Sequence, residues 1–225
     1  MGFKKFKSKN AILSMILCSV VSFSLLHADN LRECQSEKDM KNGCVWKHYY
    51  DNGKILYEMS LKDGKQNGIY KEYYESGKLK FETPYTNDLK HGVEKVYYES
   101  GNLQFEIPHK NGKKESIARR YYEDGNLVLE IPFKNDKIEG ILKHYYPTGE
   151  LAAEIPYTSG KVNDIVKLYD KGKKLIWQAN AQNGKLTSGK CSNGKALTNA
   201  HLTRLTNEIN QGSSGGDYWY DICEK

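Results

Sequence analysis

The sequence predicts an all-β fold: one antiparallel β-meander of repeated hairpins, followed by a short disulfide-stapled C-terminal cap containing a helix. Three observations carry this. Tyrosine doublets recur every 24 residues, at Tyr49-Tyr50, Tyr73-Tyr74, Tyr97-Tyr98, Tyr121-Tyr122 and Tyr145-Tyr146, and Leu168-Tyr169 marks a sixth, degraded copy. A fixed period between roughly 20 and 50 residues is the signature of a repeat architecture. Each doublet is followed by a turn glycine: Gly53, Gly77, Gly101, Gly125, Gly149 and Gly172. The segments between turns, about ten residues each, are rich in tyrosine and branched aliphatics, which suits strands rather than helices.

Residues 1–28 read as a secretory signal peptide. Lys4, Lys5, Lys7 and Lys9 precede an apolar run from Ala11 to Leu26, and Leu26-His27-Ala28 ends on a small residue. A retained membrane anchor is the rival reading, and the 16-residue run is short for it, because a spanning helix needs about 20. Removing the leader takes four lysines and no acid, which leaves 30 basic against 28 acidic residues and a formal charge of +2. The basicity that would favour a nucleic-acid partner therefore belongs to the leader. Membrane contact is expected only through that leader, and the remainder is expected in the periplasm or secreted.

Four cysteines follow the leader, Cys34, Cys44, Cys191 and Cys223. An even number in an oxidising compartment favours disulfides, and three pairings are open. Cys34 with Cys44 and Cys191 with Cys223 is the favoured pairing, because each bridge then staples one end of the array. A metal site is disfavoured by the lack of Cys-x-x-Cys and of a histidine at ligand spacing. Four regions result: the leader 1–28, an N-terminal cap 29–44, the repeat array 45–178 and a C-terminal cap 179–225.

Aligning the copies gives a basic column, Lys47, Lys71, Lys95, Arg119, Lys143 and Lys167. An aliphatic column, Ile55, Leu79, Leu103, Leu127 and Leu151, follows the first turn, then Tyr57, Phe81, Phe105, Leu129 and Ala153, then Glu58, Glu82, Glu106, Glu130 and Glu154. If Asn52-Gly53 is a two-residue hairpin turn, Lys47 opposes Glu58 and every basic member meets an acidic one. The same register pairs Tyr50 with Ile55, and likewise in later copies. Since side chains alternate, one face is expected to be apolar and the other to carry ion pairs and the first tyrosines. The second turns, such as Lys62-Asp63-Gly64-Lys65, read as longer.

The pattern Tyr-Tyr-x-x-Gly-x-Leu-x-x-Glu, followed by an aromatic residue and an Asn-Gly-Lys-type turn, resembles the MORN-repeat variant of bacterial proteins called YwqK-family antitoxins, over about residues 45–178. Leu79, Lys80 and Phe81 stand where the standard repeat has a tryptophan and an extra glycine. The resemblance implies a MORN-like solenoid acting as a binding or scaffold module, and by the family's name an immunity role against a toxin.

In the tail, Trp177 is expected to end the strand-like stretch, and Asn183-Gly184, Ser188-Gly189 and Asn193-Gly194 read as turns. Thr198 is placed to cap a helix running to about Asn210, with Leu202, Leu205 and Ile209 on one face and Gly212 as the stop. No phosphate loop, Gly-x-Ser-x-Gly or His-Glu-x-x-His occurs. Five equivalent glutamates do not make the asymmetric constellation that catalysis needs. The expected function is non-enzymatic, without cofactor: an exported repeat protein binding a protein partner. The alternative is an envelope structural or ligand-binding protein for glycan, peptidoglycan or lipid. The candidate recognition residues are the first tyrosines, Tyr49, Tyr73, Tyr97, Tyr121, Tyr145 and Tyr169, with Lys71, Lys95 and Arg119.

Overall fold

A computed structural model describes residues 31–212 and 217–223, so the expected leader lies outside the described residues. The chain enters through helix α1 (Glu37–Asn42), capped by the Ser36 side chain. The first hairpins are β1 (Cys44–Tyr49), β2 (Ile55–Lys62), β3 (Lys65–Tyr73) and β4 (Leu79–Thr86). From there each returning strand is broken in two. The pairs are β5 (Leu89–Lys90) with β6 (Gly92–Tyr97), β8 (Lys113–Lys114) with β9 (Ser116–Tyr121), β11 (Lys137–Ile138) with β12 (Gly140–Tyr145), and β14 (Lys161–Val162) with β15 (Asp164–Tyr169). Between them run β7 (Leu103–Lys110), β10 (Leu127–Lys134) and β13 (Leu151–Thr158), and the sheet closes with β16 (Leu175–Gln182) and β17 (Lys185–Cys191). Helices α2 (Asn199–Asn210) and α3 (Asp217–Asp221) follow. Each strand pairs antiparallel with its neighbours in sequence, giving one open meander.

The charge register holds in all five hairpins: Lys47, Lys71, Lys95, Arg119 and Lys143 oppose Glu58, Glu82, Glu106, Glu130 and Glu154. The turns are a different matter, and their types are exchanged relative to expectation. After the doublet, Gly53 N–H donates to Tyr50 O at 2.9 Å and Tyr50 N–H to Lys54 O at 2.8 Å. That is a three-residue loop with Gly53 at φ 80°, and it forces a bulge between His48 and Tyr49. The register shifts by one, so Tyr49 opposes Ile55, Tyr73 opposes Leu79 and Tyr97 opposes Leu103. The expected pairing of Tyr50 with Ile55 is therefore corrected.

The second turns are the tight ones. Lys62 pairs directly with Lys65, and both central residues have positive φ, 53° at Asp63 and 71° at Gly64. That is the type I′ geometry. Consecutive second turns also bond to one another, as Asp88 N–H donates to Gln66 O at 3.0 Å and Gly112 N–H to Lys90 O at 2.8 Å.

A further irregularity lies opposite each repeat's proline. Gly92 has φ 120° and packs so closely on Pro84 that an added Cβ would meet its Cγ at 3.1 Å. His91 N–H donates to Pro84 O at 2.9 Å, and the same bond recurs at Pro108, Pro132 and Pro156. Proline, with no N–H to offer the ladder, thus sits where the ladder is already interrupted.

The array also runs further than residue 178. Asn183-Gly184 is one more tight hairpin turn, at φ 52° and 86°, and β16 pairs with β17 as far as Cys191. Ser188-Gly189 is consequently strand, not turn. A Cβ on Gly189 would meet Leu197 Cδ1 at 2.8 Å and Ala179 Cβ at 2.9 Å, so glycine is required by the close approach of the tail. In the sixth copy Asp170 takes the place of the second tyrosine, and the left-handed turn position falls to Lys173 at φ 64°.

The tail folds as expected: Thr198 caps α2, whose buried residues are Leu202, Leu205 and Ile209. Both disulfides have the expected pairing, Cys34–Cys44 and Cys191–Cys223. With Trp219, Ile222 and Leu197 the helix covers Leu142, Ala153, Ile155, Val166, Leu168 and Trp177 on one face of the last hairpins. The indole N–H of Trp177 donates to Trp219 O at 2.8 Å. The main hydrophobic core is thereby concentrated in the C-terminal third.

Candidate functional site

The two faces differ in chemistry, and alternation along β1 separates them. One face carries Lys47 and Tyr49; the other carries Trp46 and His48.

On the first face the basic and acidic columns merge into a continuous ladder. Glu58 lies between Lys47 and Lys71, Glu82 between Lys71 and Lys95, and so on to Lys167. Lys71 approaches Glu58 at 3.7 Å, Lys95 approaches Glu82 at 3.5 Å and Arg119 approaches Glu130 at 3.3 Å. The first tyrosines complete it, each donating its hydroxyl to the glutamate of the preceding repeat. Tyr73 reaches Glu58 at 2.7 Å, Tyr97 Glu82 at 3.1 Å, Tyr121 Glu106 at 3.0 Å, Tyr145 Glu130 at 2.9 Å and Tyr169 Glu154 at 2.9 Å. Burial, then the neighbouring glutamate, raises the phenols of Tyr97, Tyr145 and Tyr169 to about 12. Tyr49, at the end of the column, bonds Glu33 at 3.3 Å and is 44% exposed. The nine candidate residues thus share one face, with the hydroxyls of the six tyrosines committed to carboxylates and the rings half-exposed in all but Tyr49.

The same face bears a column that the sequence reading did not single out. Val93 and Ile117 are 39% exposed, Ile141 47% and Ile165 36%. Their strand neighbours are prolines, since Ile69 opposes Pro84, Val93 Pro108, Ile117 Pro132 and Ile141 Pro156. A branched aliphatic residue two places before each basic residue, at the 24-residue period, was the available signal. At one end Val45 is only 4% exposed and shares a small depression with Leu31. At the other end the stripe turns polar, where Asn180 Nδ2–H donates to Ser188 Oγ.

The opposite face is aromatic. Tyr57 stacks on Tyr70 at 5.8 Å between centroids, and Tyr70 on Phe81 at 5.4 Å. Arg120 lies over Phe105 at 5.6 Å and Lys114 over Phe133 at 5.2 Å. The second tyrosines brace successive copies from backbone to hydroxyl: Tyr50 Oη–H donates to Tyr73 O, Tyr74 to Tyr97 O, Tyr98 to Tyr121 O and Tyr146 to Tyr169 O, at 2.7–2.8 Å. Two buried polar side chains interrupt this face among the described residues, Thr83, 1% exposed with its hydroxyl unpartnered, and His109. His109 Nε2 lies 3.3 Å from Glu94, which also pairs with Lys90, and burial lowers the imidazole's proton affinity. His109 has no hydrogen-bonded nucleophile, and with its proton affinity lowered it is an uncharged imidazole packed beside the Lys90–Glu94 ion pair.

Where the last hairpin meets the tail there is a cleft of about 620 Å³, lined by Tyr146, Asp170, Lys171, Asn193 and Tyr220 beside Cys223. The Tyr146 and Tyr220 rings lie 5.9 Å apart and Lys171 sits over Tyr146 at 5.8 Å. Among the described residues no helix is long and apolar enough to cross a membrane.

No curated protein matches the chain. The family described as MORN repeat variant matches residues 45–63, 66–87, 90–111, 114–135 and 138–159, in phase with the hairpins seen here. Through these five consecutive copies, spanning residues 45–159, the chain belongs to the MORN repeat variant family.

Proposed function

We propose that the protein is a non-enzymatic, exported binding module that holds a protein partner against the aromatic face of its first three copies. The observation that carries this is the uneven cover of that face. Over the last copies the chain's own tail buries it with an apolar helix and Trp219, with Leu129 and Ile131 of the fourth copy packed at the margin of that core; over copies one to three Tyr57, Tyr70, Phe81 and Phe105 lie half-buried outside it. A long apolar strip on a single-layer sheet marks an interaction surface, and the tail shows the chemistry that fits it. Repeats of this family commonly mediate protein or membrane binding. Two disulfides suit an oxidising, exported setting. An antitoxin-like role, with a toxin as the partner, extends this reading from the YwqK-family resemblance.

A photo-crosslinking residue at Arg120 on the aromatic face, compared with one at Ile117 on the ladder face, tests the proposal in cells. One partner is expected from Arg120. With that partner purified, Phe81→Ala/Phe105→Ala should weaken binding at least about 30-fold while the melting curve keeps its cooperativity. Capture of the same partner equally from both faces, no partner from Arg120, or unchanged affinity overturns the reading.

The cleft favours a second reading, a ligand binder for glycan, because two tyrosine rings flanked by Lys171, Asp170 and Asn193 offer both stacking and hydrogen bonds. Titration with soluble peptidoglycan fragments, read at the Tyr220 resonances, checks it. Unmoved resonances exclude it.

A further inference from the structure

We propose that the ladder face is the contact between two copies of this chain, related by a two-fold axis that runs parallel to the strands and passes between β9 and β10. This is independent of the partner on the aromatic face.

The argument begins with the exposed stripe. Ile69, Val93, Ile117, Ile141 and Ile165 alternate strand by strand with Pro84, Pro108, Pro132 and Pro156. The prolines pack on one edge against glycines such as Gly92 and Gly140, while four of the aliphatic residues are 36–47% exposed. Beside the stripe runs the charge ladder in the same alternation, because every aliphatic strand carries a base and every proline strand an acid. A two-fold axis along the strands keeps each position along the strand and reverses the strand order. Stripe therefore meets stripe and ladder meets ladder.

Placing the axis between β9 and β10 makes unlike residues meet. Ile117 faces Pro132, Ile141 faces Pro108, and Val93 faces Pro156 of the second copy. In the ladder Lys95 faces Glu154, Lys143 faces Glu106 and Arg119 faces Glu130. Bulky residues oppose small ones, and each cation opposes an anion. An isologous contact requires this self-complementarity, and a surface with a single charge sign could not provide it. Two sheets packed face to face in near alignment form a sandwich, a common arrangement.

The dimensions suffice. Eight strands, from Pro84 to Ile165, at about 4.8 Å spacing, with a width of about 20 Å, cover about 700 Å². A standard interface buries about 800 Å² on each partner. The ends of the stripe are closed off by the chain itself. Val45 at one end is 4% exposed, and Asn180 and Ser188 are bonded to each other at the other.

Sedimentation of the exported chain with both disulfides intact tests the proposal. A dimer is expected at about 10 µM, and Ile117→Glu/Ile141→Glu should raise the dissociation constant at least about 30-fold with an unchanged circular dichroism melt. A charge swap guards against a merely unstable variant. Lys95→Glu should weaken the dimer, and adding Glu154→Lys should restore it. These two residues stand about 24 Å apart in one copy, five strand spacings, so restoration reads a contact between copies. A wild-type monomer at all concentrations overturns the proposal, as does a dimer indifferent to the isoleucine change or a swap without rescue. The partner reading stands apart from these results, since it is read at Phe81 and Phe105.

Discussion

Replacing the hydroxyls of Tyr50, Tyr74, Tyr98 and Tyr146 together with hydrogen tests what couples one copy to the next. Each hydroxyl donates to the backbone carbonyl of a first tyrosine one repeat on, at 2.7–2.8 Å. A half-buried hydrogen bond contributes about 1 kcal/mol net, and its loss leaves a carbonyl short of a partner. Successive second tyrosines stand two strands apart, about 10 Å, so the losses should add. The fourfold phenylalanine variant is therefore expected to lose about 4 kcal/mol, or about 8–16 °C of melting temperature at this chain size. Tyr122 supplies an internal control, since it makes no corresponding bond to Tyr145 O, and Tyr122→Phe should shift melting by less than about 2 °C. Circular dichroism melts at neutral pH measure both. A fourfold variant that melts within about 2 °C of wild type would show that ring packing alone couples the repeats.

Three other expectations follow from the same geometry. The phenols of Tyr97, Tyr145 and Tyr169 are raised to about 12 by burial and by their glutamates. A folded-state value above the ordinary one near 10 means that their stabilisation is complete below about pH 10 and is lost as pH rises toward 12; melts between pH 9 and 12, beside ultraviolet titration of tyrosinate, check the sign. Gly92→Ala should cost about 3 kcal/mol because φ is 120° and Pro84 Cγ stands 3.1 Å from the new Cβ, whereas Gly125→Ala, at φ 90° with open space, should cost about 1 kcal/mol; urea titrations that rank them equally refute the assignment. Cys191→Ala/Cys223→Ser opens a bridge with a sequence separation of 32 and should cost about 3.7 kcal/mol by the chain-entropy estimate, concentrated in the tail, with Trp219 emission shifting red and amide exchange over β3 to β7 unchanged.

Much of this was legible in the sequence because the repeat carries its information redundantly. Five copies in one phase fixed the opposition of Lys47, Lys71, Lys95, Arg119 and Lys143 to the glutamates, and Thr198, Leu202, Leu205 and Ile209 fixed α2 from capping and period alone. The turn types were not legible. Asn-Gly suits a tight type I′ turn and also the three-residue loop with a left-handed glycine. Which turn takes which form depends on contacts between copies, such as Asp88 N–H on Gln66 O, and a single hairpin's sequence does not contain them. The exposed stripe was missed for a related reason. Val93, Ile117, Ile141 and Ile165 are the residues that a two-face scheme assigns to a core, yet alternation puts them beside the lysines. The end of the array was misplaced because Asn180 and Ser188 break the column pattern while Asn183-Gly184 keeps the hairpin.

The distribution of burial explains how a sheet one layer thick can remain folded and still offer both faces. A sheet usually gains its stability by burying one face on a second layer, and here only the C-terminal third does so, through Leu202, Leu205, Trp219 and Trp177. The rest relies on bonds that run along the array: the tyrosine hydroxyls to the preceding glutamates, the second tyrosines to carbonyls, and the stacked tight turns. Such interactions pass from each copy to the next, so the buried C-terminal end anchors its neighbour, which anchors the one before it, in the nearest-neighbour manner of repeat proteins. The Cys34–Cys44 bridge at the far end then holds Glu33 against β1 and α1 against β2, which limits fraying at the edge furthest from the core. Because the polar ladders carry the coupling, neither the aromatic face of the early copies nor the isoleucine–proline stripe has to be buried for the fold to persist.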